Sequence, residues 1–341
     1  MVTRVGINGF GRIGRNVFRA ARENGSFEIV AANDIGTPES LAHLLRYDSI
    51  LGRYPGDVVA HDQSLTVDGR ELKVFAAPAP GDIDWAGLGI EVVIESSGLF
   101  VQAEQARPHI ERGGAKKVII TAPAKGEDIT ICMGVNDASY QPRRHHIISN
   151  ASCTTNCLAP VAKVIHQRFG IESGLMTTVH AYTGDQRLLD APHRDPRRAR
   201  AAAMSLVPTS SGAAEAVAKV VPELRGKFAG ISLRVPVPDV SIVDFTVLTS
   251  KPTSAEAINL ALREAAAGEL RGILRVEDEA LVSVDFRGDS HSSIVDSELT
   301  MTAGPQHAKV LAWYDNEWGY SCRVVDLTRL IVSTLPAATP S

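Results

Sequence analysis

A cysteine among small polar residues carries the most chemistry in this chain. Cys153 lies in Ile147-Ile148-Ser149-Asn150-Ala151-Ser152-Cys153-Thr154-Thr155-Asn156-Cys157, where an apolar, strand-like run gives way to a longer segment of helical periodicity. A thiol at such a junction faces the unpaired N–H groups and positive dipole end of a helix. Both favour the thiolate, which is the nucleophilic form. Met176-Thr177-Thr178-Val179-His180-Ala181-Tyr182-Thr183 reads as another strand, with His180 near its end. On that segment alone, a hydrogen-bonded and partly buried histidine is the plainer reading. Thiol chemistry nevertheless needs a second titratable group, and His180 best matches Cys153 because both close strands. A neighbouring imidazole activates the thiol and exchanges a proton with a substrate oxygen.

A second pattern lies near the N-terminus. Gly9-x-Gly11-x-x-Gly14 follows the short apolar run Val2 to Ile7 and opens a helical segment, Arg15 to Glu23. Such glycines permit a tight turn, close approach of the backbone to a pyrophosphate, and close packing of helix on strand. Asp34 follows Gly14 by 20 residues, at the end of a second strand from Ile29 to Asn33, where a carboxylate can bond an adenosine ribose. Motif and acid together imply a bound dinucleotide. The carboxylate would repel a 2′-phosphate, so NAD is expected, while the arginine pairs near Arg143 and Arg197 leave NADP open at this point. A nucleophilic thiol beside a nicotinamide suggests aldehyde oxidation: a thiohemiacetal donates hydride, and the resulting thioester passes its acyl group to water or phosphate.

These groups need a scaffold. A length of 341 residues suggests about two domains. A net charge of −4 provides no footprint for nucleic acid or an anionic membrane, despite the arginine-rich stretch Arg194 to Arg200. Four cysteines are too few for a disulfide scaffold and fit no zinc spacing. Cys157 is expected to be a buried structural thiol. With neither a signal peptide nor a membrane span, the expected location is cytoplasmic.

The runs Val92 to Ser97, Lys117 to Thr121 and Ile147 to Ser149, apolar and ending in small polar residues, alternate with helical patterns such as Gln102 to Glu111. That alternation predicts an α/β fold with a Rossmann-type doubly wound parallel sheet. Ligands of such sheets sit at the carboxyl ends of the strands, where Ser97, Gly98 and Thr121 fall. After about residue 170, longer strands are expected at Gly174 to His180, Ile231 to Val237, Val240 to Thr249, Ala280 to Phe286 and Lys309 to Tyr314. A helix is expected at Ser254 to Ala267. This predicts a second, α+β domain on a mixed or antiparallel sheet. Val324 to Leu335 reads as a closing helix, and Pro336 to Ser341 is expected to fray.

The residues around Cys153 resemble the active-site motif of the phosphorylating glyceraldehyde-3-phosphate dehydrogenases. The similarity runs from Ile7-Asn8-Gly9-Phe10-Gly11-Arg12-Ile13-Gly14-Arg15 to Trp313-Tyr314-Asp315-Asn316-Glu317-Trp318-Gly319-Tyr320, essentially the whole chain. The resemblance implies an NAD-binding domain over residues 1–152, completed by a C-terminal helix at 317–341, and a catalytic and tetramerisation domain over 153–316. It implies Cys153 as nucleophile and His180 as acid–base residue. Asn8, Gly9, Phe10, Gly11, Arg12, Ile13, Gly14, Asp34, Ser97, Gly98 and Thr121 would hold NAD, with Asn316 orienting the nicotinamide carboxamide. Thr183, Asp185 and Arg234 would hold the substrate's C3 phosphate. Ser152, Thr154, Ser211 and Gly212, assisted by Arg198, would bind inorganic phosphate. The loop His193 to Arg200 resembles one that crosses the interface of a homotetramer.

The implied activity is oxidative phosphorylation of D-glyceraldehyde 3-phosphate to 1,3-bisphosphoglycerate, in glycolysis or gluconeogenesis. Its rivals are an erythrose-4-phosphate dehydrogenase, which hydrolyses the thioester, and a non-catalytic regulatory paralogue. Aspartate-semialdehyde dehydrogenases use similar thiol chemistry but lack the phosphate-site motifs. Ser211 departs from the family's usual threonine, keeping the hydroxyl without the methyl that restrains it. Pro192, after Ala191, sides with NAD. Pro160 is the awkward residue, since a proline seven positions past Cys153 should kink the helix or delay its start. A late start would remove the dipole from Cys153 and leave its activation mainly to His180. The resemblance implies a helix beginning near the cysteine regardless.

Overall fold

The computed structural model describes residues 2–335, so Pro336 to Ser341 lie outside the described residues. The chain forms two compact units, one of residues 2–131, 138–151 and 321–335, the other of residues 132–137 and 152–320.

The first unit carries a nine-stranded sheet in the order Ile129–Thr130, Ile147–Ser149, Lys117–Ile120, Ile90–Glu95, Thr3–Asn8, Phe27–Asn33, Arg70–Phe75, Ser64–Val67, Val58–His61. The first seven run parallel, and the last two add an antiparallel edge. Lys117–Ile120 is buried throughout and Ile90–Glu95 nearly so, the mark of parallel strands covered on both faces. The core between them includes Ala31, Trp85, Val93, Ala106 and Val118. The antiparallel edge was not among the expected strands, although its turn is written in the sequence. Asp68 and Gly69 both take positive φ, 50° and 79°, as a two-residue Asp-Gly hairpin requires.

Strand ends differ from expectation by a few residues, and three helices differ more. The first helix spans Arg12–Ala20, three residues earlier than Arg15, with Gly11 as its N-cap. The helical stretch at Gln102 to Glu111 is two short helices, Ala103–Ala106 and Pro108–Glu111, because Pro108 offers no N–H to continue the first. The closing helix begins at Trp318, six residues before Val324, and runs to Ser333.

The second unit holds a seven-stranded mixed sheet in the order Val207–Ser210, Phe228–Val235, Ile171–Ala181, Ser241–Thr249, His307–Tyr314, Ser293–Thr302, Leu274–Glu277. Burial alternates along Ser241–Thr249, with period two, as in a strand whose faces differ in cover. The helix Cys153–Phe169 lays Leu158, Val161 and Ile165 into one core with Met176, Val243, Phe245 and Val310 of the sheet. The strand expected at Ala280 to Phe286 is absent: Ser283–Phe286 is a single 3₁₀ turn. There Val282 and Val284 face solvent, while Phe286 turns inward to stack on Trp313 and Leu281 packs against the same cluster. The sheet instead takes Leu274–Glu277 and Ser293–Thr302. Among the described residues no helix is long and apolar enough to cross a membrane.

Candidate active site

The helix that carries the thiol starts at Cys153 itself. Ser152 is its N-cap, with extended backbone and Oγ accepting from the Thr155 N–H at 3.0 Å. Pro160 sits inside the helix and neither delays its start nor ends it, since the element continues to Phe169. The loss is confined to one N–H, and buried side chains on both sides of the proline hold the helix. The dipole therefore acts at Cys153, and His180 is not left to activate the thiol alone.

Within the same unit the strand Ile171–Ala181 brings His180 Nε2 to 3.4 Å from Cys153 Sγ. The opposite ring nitrogen, Nδ1, lies 2.7 Å from the Ala181 carbonyl and 3.1 Å from Arg234 Nη1. One nitrogen cannot donate to the carbonyl and accept from the guanidinium at once. Arg234 Nη1 has other acceptors, the Thr183 hydroxyl at 3.0 Å and the Ala181 carbonyl at 3.2 Å. We therefore assign the proton to Nδ1, which leaves the Nε2 lone pair facing the thiol. Burial, and then the Arg234 charge, push His180 down to about 3, so the imidazole is a neutral base. Burial raises the Cys153 thiol, while Arg234 and the Thr154 N–H and hydroxyl pull it back. Cys157 is buried, with its sulfur 3.6 Å from Ser293 Oγ and from the Ala312 carbonyl. It is a structural thiol.

Beside this pair lies a chain of opposite charges. The Thr183 hydroxyl donates to Asp185, whose other oxygen pairs with Arg198. Arg198 Nε donates to Thr209 Oγ1 at 3.1 Å, and Thr209 donates to Asp195 at 2.9 Å. Arg234 Nε is buried without a hydrogen-bond partner, a donor prepared for an anion. Ser211 Oγ accepts from the Ala213 N–H at 3.3 Å, and exposed Gly212 begins the helix Ala213–Val220 with no side-chain cap. The hydroxyls of Ser152 and Thr154 are engaged elsewhere. Ser152 caps its helix, and Thr154 Oγ1 lies 2.9 Å from the hydroxyl of buried Tyr314. Tyr314 also bonds Thr178 at 2.8 Å and meets the His180 ring edge-on at 5.9 Å.

In the first unit the glycines divide their labour. Gly9 has a φ of 92°, and a Cβ there would lie 2.3 Å from the Ser97 nitrogen. A Cβ on Gly14 would lie 2.1 Å from the Gly9 carbonyl oxygen, whereas one on Gly11 would meet open space. The first two close the turn, and the third keeps the uncapped helix start open to an incoming phosphate. Phe10 is wholly buried and donates its N–H to Asp34 Oδ2 at 2.7 Å, while Asp34 Oδ1 accepts from Gly36 at 3.2 Å. Arg12 pairs with Asp48 at 3.1 Å, and half-buried Ile13 lies in the same first turn. Asn8 is buried between Glu95 and Asn33. Glu95 also accepts from Ser97 and His109, and Trp85 donates to His109. Gly98 takes a φ of 74°, and Thr121 bonds the Glu95 carbonyl. An open helix start with backbone donors fits a dinucleotide diphosphate. Asn8 and Glu95 instead tie together the strand ends that form the cradle.

Comparison with known proteins decides what these two units are. Residues 3–103 match the family model described as "Glyceraldehyde 3-phosphate dehydrogenase, NAD binding domain", and residues 152–316 match its "C-terminal domain". The chain is 57% identical over 336 residues to "Glyceraldehyde-3-phosphate dehydrogenase 2" of Streptomyces arenae, covering 98% of this chain and 100% of that protein. It is 56% identical over 333 residues to "Glyceraldehyde-3-phosphate dehydrogenase" of Geobacillus stearothermophilus, covering 98% and 99%.

The chain belongs to the glyceraldehyde-3-phosphate dehydrogenase family.

Residues 3–103, within its first unit, are the family's NAD-binding domain, and the α/β fold class is that of the family. The folded chain brings more residues to this site than the sequence motifs announce. Thr209, Asp195 and Tyr314 were not among the expected site residues. Tyr314 adjoins the Asp315-Asn316 pair in the Trp313 to Tyr320 motif, which was a signal in the sequence. Thr209 and Asp195 gave none, because only the folded loop brings them to Arg198.

Proposed function

We propose that this chain oxidises D-glyceraldehyde 3-phosphate with NAD and inorganic phosphate to 1,3-bisphosphoglycerate, as a cytoplasmic enzyme of glycolysis or gluconeogenesis. The observation that carries the reading is the 3.4 Å approach of His180 Nε2 to a thiol at a capped helix start. His180 accepts the thiol proton as Cys153 Sγ bonds the aldehyde carbon, and it returns that proton to the former carbonyl oxygen. The product is a thiohemiacetal on Cys153. NAD, when bound, supplies the hydride acceptor for that carbon. His180 then takes the hydroxyl proton as the C=O bond re-forms, leaving a thioester. A phosphate oxygen attacks the acyl carbon, and Cys153 departs as a thiolate steadied by the helix start and by the protonated His180.

Arg234, Thr183 and Asp185 are assigned to the substrate's C3 phosphate, supported by the unpartnered Arg234 Nε. Ser211, Gly212 and Arg198 are assigned to inorganic phosphate. Ser152 and Thr154 serve that site by fixing the helix start, through the cap and the Tyr314 bond. Gly9, Gly11, Gly14 and Asp34 form the dinucleotide cradle, and Asn316 holds the nicotinamide carboxamide. A homotetramer is supported by exposed Leu188, Leu189, Met204 and Leu206, large apolar side chains that a second copy would cover. The deciding assay offers glyceraldehyde 3-phosphate and erythrose 4-phosphate, each with and without phosphate, and with NAD and NADP in parallel. Phosphate-dependent, NAD-linked turnover of the triose is expected. Phosphate-independent turnover of the tetrose would overturn the assignment.

A further inference from the structure

One buried acid in the catalytic unit has no part in the chemistry above. Asp239 is 4% exposed, yet neither of its carboxylate oxygens has a hydrogen-bond partner from an N–H or hydroxyl group. Its neighbour Asp315, also buried, is fully served: Oδ1 accepts from the Glu317 and Trp318 N–H groups at 2.9 and 2.6 Å, and Oδ2 from Gly288 at 2.8 Å. Two carboxyls in contact share a buried site best when one keeps its proton and donates it to the other. Asp315, with three donors, is the ionised partner, which leaves Asp239 as the acid.

The topology explains why the two meet. Antiparallel pairing sets Ser241 opposite Tyr314, so Asp239 and Asp315 flank the same end of two adjacent strands. Between Asp239 and Ser241 the buried, β-branched Val240 takes a φ of 65°. Such a residue holds that conformation only where its surroundings impose it. Ser241 Oγ accepts from the Ala181 N–H at 3.0 Å and donates to Asn316 Oδ1 at 2.7 Å. Asn316 Oδ1 is thereby taken, and Nδ2 is the end of the amide left to donate.

We propose that Asp239 is a positioning residue, which as the neutral acid donates a hydrogen bond to Asp315 and so holds the Asp315-Asn316 turn that presents the Asn316 amide to the nicotinamide carboxamide. This rests on the reading of Asn316 given above. Burial and the charges of Asp315 and Glu317 push Asp239 well up from the ordinary carboxylate range, against a smaller opposing effect of the nearby Val240 N–H. The charged groups facing Asp239 are acidic, so loss of its proton sets like charges against each other in a buried site. The turn then loosens as pH rises.

The test measures NAD affinity by fluorescence quenching between about pH 7 and pH 9, alongside melting temperature, for wild type, Asp239→Asn, Asp239→Ala and Asn316→Ala. Asp239→Asn donates to Asp315 without titrating. It should keep neutral-pH affinity and abolish the alkaline weakening of the wild type. Asp239→Ala should weaken NAD roughly 3- to 10-fold, the worth of one hydrogen bond, with the KM for aldehyde unchanged. An Asp239→Asn profile parallel to wild type overturns the proposal, as does an Asp239→Ala variant that melts lower but binds NAD normally. Unchanged affinity in Asn316→Ala sinks the reading of Asn316 and this proposal with it. Weakened affinity in that variant, with wild-type behaviour at Asp239, sinks the proposal alone.

Discussion

Replacing Arg234 by leucine tests how the site selects a phosphorylated aldehyde. Arg234 Nη1 is engaged with Thr183 and the Ala181 carbonyl, but buried Nε has no partner. A phosphate oxygen meeting that N–H gains one charge-assisted hydrogen bond, worth about 1.5–3 kcal/mol. Asp185, close to the same guanidinium, opposes any larger Coulomb gain. Loss of the bond should lower kcat/KM for glyceraldehyde 3-phosphate roughly 10- to 150-fold. Unphosphorylated glyceraldehyde never makes the bond, so its kcat/KM should fall much less, only by what the lost charge near Cys153 contributes. Arg234→Lys should fall between, because an ammonium keeps the charge but loses the fork. His180 also feels Arg234, although burial is the larger cause of its depression, so the pH profile should shift little. Steady-state kinetics on both aldehydes, with melting temperature as the control for folding, provide the comparison. Equal losses on the two substrates would refute the assignment, because they would place Arg234 with the chemistry and not with the phosphate.

Other consequences follow from the same geometry. His180→Asn should lower kcat by about 10²- to 10⁴-fold with little change in KM, as loss of a general base does; an unchanged kcat would remove the histidine from the mechanism. The same variant carries a stability signature. Folded His180 stays neutral down to about 3, whereas an unfolded histidine charges near 6.5. The unfolded chain therefore binds one more proton in that window, and stability falls by about 1.4 kcal/mol per unit as pH drops below about 6.5. Denaturant titrations should find that slope reduced by this amount in His180→Asn, and identical slopes would contradict the burial argument. Ser152→Ala removes the cap of the Cys153 helix and should cost about 1 kcal/mol, a melting shift of roughly 2–4 °C by calorimetry. A shift near zero would mean that the helix start is held by packing alone.

Much of the site was legible because its parts lie in short motifs at the ends of elements. Cys153 and His180 were readable as strand-end residues, and the glycines from Gly9 to Gly14 as a turn between strand and helix. The harder parts depend on contacts distant in sequence. Pro160 argued against a helix starting at Cys153, and only the Ser152 cap with packing on both flanks shows why the proline is tolerated. Ala280 to Phe286 had the apolar content of a strand, but no neighbouring strand takes it up, and two of its valines remain exposed. Asp239 falls between the strands expected at Ile231 to Val237 and Val240 to Thr249, where nothing in the sequence marks it. Its burial against Asp315 appears only once Ser241 pairs with Tyr314.

In the proposed reaction Cys153 carries the acyl group as a thioester before phosphate takes it. The direct measurement mixes enzyme, NAD and glyceraldehyde 3-phosphate without inorganic phosphate, quenches in acid, and weighs the peptides by mass spectrometry. One acyl adduct is expected on the peptide containing Cys153, absent in Cys153→Ser and lost on adding phosphate as 1,3-bisphosphoglycerate forms. An adduct on another residue, or NADH formed by Cys153→Ser at the wild-type rate, would contradict it.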